Sequence, residues 1–120
     1  MEQKKGYKIA GALVLVFSIG AALWFAAPIT SSAGTYNDQG ITQNAEGEYD
    51  KAIDTFTRAI ELDPELATAY NNRGWARIEL GQYEQGIADC TRAIELDPEL
   101  AIAYNNRGWA RIELGQYEQG

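Results

Sequence analysis

Residues 57–86 read TRAIELDPELATAYNNRGWARIELGQYEQG, and residues 91–120 repeat that stretch with a single change, Thr68 becoming Ile102. The copies start thirty-four residues apart, which is the period of a solenoid of helical pairs in which each unit stacks only on its neighbours. At the leading edge of the first copy, Ile53, Phe56, Ala59 and Ile60 recur at three- and four-residue spacing and form one core-facing helical stripe. Asp63-Pro64 and Asp97-Pro98 end such helices, because proline disfavours helical geometry in the residue before it. The two aspartates are therefore turn residues, not catalytic acids. Gly81 and Gly115 are placed to turn the chain between paired helices. Gly74 and Gly108 are placed for close backbone approach, with Tyr70, Ala76 and Leu80 filling the layer between helices.

The run Tyr70-Asn71-Asn72-Arg73-Gly74-Trp75-Ala76, continuing through Gly81-Gln82-Tyr83 to Ala93-Ile94-Glu95-Leu96-Asp97-Pro98, resembles the tetratricopeptide repeat family. Counted from Ala67, the family expects a large aromatic at position four, glycine at eight, a small residue at twenty, an aromatic at twenty-four and proline at thirty-two. Those positions hold Tyr70, Gly74, Gly86, Cys90 and Pro98, and one repeat earlier Tyr36, Gly40, Ala52, Phe56 and Pro64. Arg73 and Arg77 depart from the family's usual leucine and tyrosine. The resemblance implies an all-α, right-handed helical-pair solenoid of about two and a half repeats, spanning 33–66, 67–100 and a partial 101–120, after an N-terminal hydrophobic helix.

It also implies a concave groove where the family binds peptides. The positions that line it are Thr68, Asn71, Asn72, Trp75, Ile78 and Glu79, then Ile102, Asn105, Asn106, Trp109, Ile112 and Glu113. Asparagine can donate to and accept from an extended peptide, and tryptophan offers a large apolar area with one donor. The alternative is that Trp75 and Trp109 only pack against adjacent helices. Members of the family that clamp the terminal carboxylate of chaperone tails use lysine, arginine and asparagine at five positions. Here Asn37, Ile41, Asn72, Ile102 and Asn106 stand there, and only Asn72 matches. Without the cations, a carboxylate would enter an acidic domain unpaired, at a cost of several kcal/mol.

Composition narrows the function further. The net charge is −7, and it is uneven, with the acidic excess in residues 34–120. Such a domain repels phosphate backbones, which argues against nucleic acid and for a neutral or basic protein or peptide partner. There is no histidine, and Cys90 is the only cysteine, so Cys/His zinc sites, a Ser/His/Asp triad and an intrachain disulfide are excluded. Cys90 takes the place of Phe56 and reads as a small buried apolar residue. The carboxylates read as a solvated face, so neither an enzyme nor a cofactor is expected.

Lys4, Lys5 and Lys8 precede an uncharged apolar run from Ile9 to Ala27. Nineteen helical residues span about 28 Å, enough for an uncleaved anchor, whereas Pro28 and the small residues Ser31-Ser32-Ala33 fit a cleaved signal. Both readings stay open, and in both the lysines remain cytoplasmic and the repeats lie outside, membrane-bound or secreted. A linker from Pro28 leads into a first helix near Thr35 to Glu46. Asp38, Gly40, Thr42 and Asn44 make that helix the weakest, in keeping with a polar cap. A third leading helix, Ala101 to Leu114, turns at Gly115 and leaves an outer face open to self-association. The alternative function is accordingly a structural array with no specific ligand. A topology reporter fused after Gly120 is expected to be active outside the cytoplasm, and activity confined to the cytoplasm would sink this reading.

Overall fold

The computed structural model describes residues 33–119, with side chains placed through 116. Five helices follow one another with no strand among the described residues: α1 (33–45), α2 (Tyr49–Leu62), α3 (Ala67–Glu79), α4 (Tyr83–Leu96) and α5 (Ala101–Gln119). The apolar run from Ile9 to Ala27 and its anchor or signal role lie outside the described residues. Among the described residues, no helix is long and apolar enough to cross a membrane.

Each helical pair is joined by a turn whose geometry the glycine dictates. Gly47 and Gly81 have φ of 78° and 79°, a left-handed conformation that costs glycine nothing. At the second turn the Gly81 amide donates to the Ile78 carbonyl and the Gln82 amide to the Arg77 carbonyl, at 2.9 and 2.8 Å. At the first, the Gly47 and Glu48 amides repeat the pattern on Asn44 and Gln43. These paired bonds satisfy carbonyls that a helix end otherwise leaves open. Between repeats, the Asp63 and Asp97 carboxylates accept from the backbone amides of Glu65 and Glu99, each at 3.1 Å, so both aspartates are turn residues as the Asp-Pro pattern predicts. The first helix already includes 33 and 34, ahead of the expected Thr35.

The core is thin and made largely of small side chains. Ala52, Phe56 and Ala76 pack together with Tyr49 and Ile53 against them. Ile78, Cys90 and Ala110 form a second cluster flanked by Tyr83 and Ile87. Small residues let α3 and α4 cross closely. A Cβ on Gly74 would meet the Cys90 sulfur and the Gly86 carbonyl at 3.0 Å, and one on Gly86 would fall 2.5 Å from Ile78 Cγ1. Gly40 is equally closed, by the Phe56 ring. Leu80, expected in the layer between helices, lies at the surface instead.

Two arginines that break the family pattern have a partner in this crossing. Asp89, buried on α4, receives Arg73 through Nε and Nη2 at 2.9 and 2.8 Å and Arg77 through Nη1 at 2.8 Å. Arg73 also donates to Thr57 Oγ1 at 3.1 Å, so one guanidinium joins α3 to both α2 and α4.

The third copy shows what that packing does. A Cβ on Gly108, the counterpart of Gly74, would meet nothing within 4 Å, and Ile112 is 56% exposed where Ile78 is 3% exposed. Gly115 makes no turn: α5 runs through it to Gln119, which corrects the expected helix end at Leu114. A reversal forfeits helical hydrogen bonds, and at Gly81 the packing of Ile87, Cys90 and Ala93 in α4 offsets that loss. Through Gly115 the helix continues despite a glycine penalty of about 1 kcal/mol.

Asp89→Ala leaves two arginines without their carboxylate. Because both guanidiniums reach some solvent, the expected loss is about 3 kcal/mol, the lower end for a broken buried pair. Urea denaturation checks it, and an unchanged midpoint would show that the pairing contributes nothing net.

Candidate functional site

The leading helices α1, α3 and α5 carry the positions assigned to the concave groove. Their fate is set by the cross-repeat packing of asparagines. Asn72 Nδ2 donates to Asn37 Oδ1 at 3.2 Å, and one period on Asn106 Nδ2 donates to Asn71 Oδ1 at 3.0 Å. Asn71 Nδ2 reaches Asn72 Oδ1 at 3.5 Å, and Asn44 Nδ2 donates to the Asn72 carbonyl at 3.2 Å. A chain of amides thus runs across all three repeats, and Asn71 and Asn106 are buried in it. A buried amide with a partner is stabilising, whereas one left without a partner costs about 1–3 kcal/mol. These asparagines therefore link the leading helices of successive repeats.

Five of the twelve expected residues come together. Asn71, Asn72, Trp75, Ile102 and Asn106 line one shallow pocket of about 260 Å3. Trp75 is half-buried and Ile102 is 49% exposed, so the pocket has two apolar walls and an amide floor. Thr68, Glu79, Asn105, Trp109 and Ile112 are exposed and Glu113 half-buried, none of them lining this pocket. Ile78 departs from the expected placement: it is a core residue packed against Cys90 and Ala110. Burial follows from Gly86, whose missing side chain makes the space that Ile78 fills.

Asp89 is the residue that sequence reasoning missed. Its signal was present: Gly86, Asp89, Cys90 and Ala93 have the three- and four-residue spacing of one helical stripe, and all four are buried. An acid on a core stripe requires a cation, and Arg73 and Arg77, four residues apart on α3, supply two.

Among the described residues, no group of three Cys, Asp or Glu side chains could hold a metal ion. A second hollow, of about 440 Å3, is lined by Tyr36, Gln39, Asp54, Thr55, Thr57 and Arg58. There Arg58 stacks over the Tyr36 ring at 5.2 Å. Cys90 is fully buried. Burial first, then the neighbouring Asp89 carboxylate, pushes its thiol from 9.0 up to about 11, with Arg107 opposing.

Family profiles described as tetratricopeptide repeat match residues 67–100 and 90–120, and one described as TPR repeat matches 43–79. Among solved structures, the second TPR of Spaghetti (RPAP3) bound to the HSP90 peptide SRMEEVD is 38% identical. Its TM-score is 0.68, and the match covers 71% of this chain and 79% of that one. The second TPR domain of human RPAP3, in complex with the HSP70 peptide SGPTIEEVD, is 35% identical with a TM-score of 0.69, covering 76% of each chain. The Arabidopsis OM64 TPR domain is 33% identical with a TM-score of 0.71, covering 75% of this chain and 74% of that one. Comparison with curated protein sequences gives no match.

The Cys90 surroundings yield a test of the packing. The folded chain keeps the thiol proton between pH 9 and about 11 while the unfolded chain releases it. The thiol's contribution to stability is therefore complete below pH 9 and is lost as pH rises through that window. Iodoacetamide at pH 8 is expected to label Cys90 only in denaturant. Stoichiometric labelling of the native chain would contradict the burial.

Proposed function

This chain belongs to the tetratricopeptide repeat family, and from that premise we propose that it is a protein-interaction module whose concave groove holds an extended, neutral or basic polypeptide segment. The observation that carries the reading is the pocket between Trp75 and Ile102, apolar on its walls and floored by amides already locked into one geometry. Preorganised walls reduce the entropy lost when a flexible segment binds. Similar domains that hold the tails of HSP90 and HSP70 support the use of this surface for peptides.

The chemistry of the groove differs from one that clamps an acidic tail. Asn37, Ile41, Ile102 and Asn106 stand where a carboxylate clamp carries its other hydrogen-bonding and cationic groups, while Asp38, Glu79 and Glu113 add negative charge at groove positions. A terminal carboxylate there meets no compensating cation, and like charges disfavour it. A lysine- or arginine-bearing segment gains instead. The apolar run from Ile9 to Ala27 supports a further element of the proposal, that the module is held at or exported across a membrane with its repeats outside the cytoplasm.

A structural reading is favoured by one specific observation, the open face of α5. Trp109 and Ile112 are exposed there and a Cβ on Gly108 would meet nothing within 4 Å, so two chains could associate through it. Sedimentation separates the readings, since groove binding does not require an oligomer.

Trp75→Ala is expected to weaken binding of a neutral or basic partner by about 1–3 kcal/mol, the range of an interface hot spot, with helicity by circular dichroism nearly unchanged. The peptide SRMEEVD is expected not to bind. Tight binding of that peptide, or collapse of the fold on truncating Trp75, would overturn the assignment.

A further inference from the structure

The one difference between the two thirty-residue copies falls on the groove: position 68 is threonine and position 102 is isoleucine. We propose that Ile102 is the specificity-determining residue of the groove. Together with Trp75 it selects a segment with a bulky aliphatic side chain, and Asp38 selects a lysine or arginine about three residues away on the same segment. The proposal rests on the groove reading and adds the class of sequence that the groove takes.

Two subsites of the groove are related by one repeat. The pocket at the later junction has Trp75 and Ile102 as walls and Asn72 and Asn106 at its amide side. One repeat earlier the counterparts are Ile41, Thr68, Asp38 and Asn72. A branched aliphatic and an amide are thus replaced by a hydroxyl and a carboxylate, on helices in the same register. The register is fixed by the bonds from Asn72 to Asn37 and from Asn106 to Asn71. Ile102 is 49% exposed and Asp38 is also exposed, so both can meet a ligand.

Charge and spacing define the occupant. Asn71, Asn72 and Asn106 are bonded to other asparagines, so what distinguishes one ligand from another is the apolar wall and the nearby carboxylate. None of the twelve assigned groove positions is lysine or arginine, so a cation on the ligand has no competitor there. Neighbouring packed helices lie about 8–10 Å apart, and an extended chain advances about 3.3 Å per residue. One repeat therefore corresponds to about three ligand residues.

The test uses the 120-residue chain and acetylated, amidated peptides, which carry no terminal charge. The probe is Ser-Gly-Ser-Lys-Ser-Gly-Leu-Ser-Gly, with variants in which alanine replaces the leucine or serine replaces the lysine. Binding is read from the Trp75 indole resonance, assigned with Trp75→Phe. Each replacement is expected to weaken binding about tenfold, the scale of losing one well-seated apolar group. Ile102→Thr should abolish the leucine preference while keeping the lysine preference, and Asp38→Asn should do the converse. Ile102→Thr recreates the residue present at the same position of the preceding repeat, so it tests recognition without disturbing the fold. If the peptides shift the indole with equal affinity, or Ile102→Thr changes nothing, the specificity inference falls and the groove reading stands. If none of them shifts the Trp75 indole at millimolar concentration, both fall.

Discussion

The Asp89 carboxylate, held by two arginines of the facing helix, is the contact on which the stacking of this small array depends. A domain with so few large buried side chains has little apolar area to offset the entropy of ordering its backbone. Close crossing of α3 and α4 through Gly74 and Gly86 raises packing density but brings a polar residue into the seam. Charge-assisted, bidentate pairing from Arg73 makes that residue tolerable. The same guanidinium reaches back to Thr57 of the previous repeat. Arg107 does likewise to Thr91 at 3.2 Å, so the link between successive repeats recurs.

On the opposite side of the leading helices, amides do the equivalent work. The donor in each cross-repeat bond is the second residue of an Asn-Asn pair, and the acceptor is the residue one full period plus one earlier. Such a bond fixes both the distance and the rotation between neighbouring repeats. In the proposed groove this leaves recognition to the side chains that the network does not consume, chiefly Trp75 and Ile102.

Most of the architecture was legible because a repeat reports its own period: the helices, the glycine turn at Gly81 and the Asp-Pro ends all follow from local chemistry. The burial of Cys90 was legible too, from its equivalence to Phe56. Two features were not. Arg73 and Arg77 read as departures from a pattern, because their meaning lies in a carboxylate more than ten residues away on another helix. Ile78 read as a groove residue because the resemblance assigns a face to a position, while its actual burial depends on Gly86 making room for it. The asparagines were half legible: Asn71, Asn72 and Asn106 do line one pocket, but pairing between repeats cannot be told from ligand contact by residue type alone.

The two copies make the source of that limit plain. Residues 77–82 and 111–116 are the same six residues, yet the first form a turn closed by a left-handed glycine and the second continue as helix. Local sequence therefore permits both outcomes, and at Gly81 the reversal is accompanied by burial against the next segment. At Gly81 that segment brings Ile87, Cys90 and Ala93 onto α3, and Ile78 loses nearly all its exposure. Around Gly115 the same isoleucine, now Ile112, stays in solvent and the straight helix is retained. Turn and core at Gly81 go together: the left-handed glycine permits the reversal, and the reversal brings in the stripe of α4 that covers Ile78.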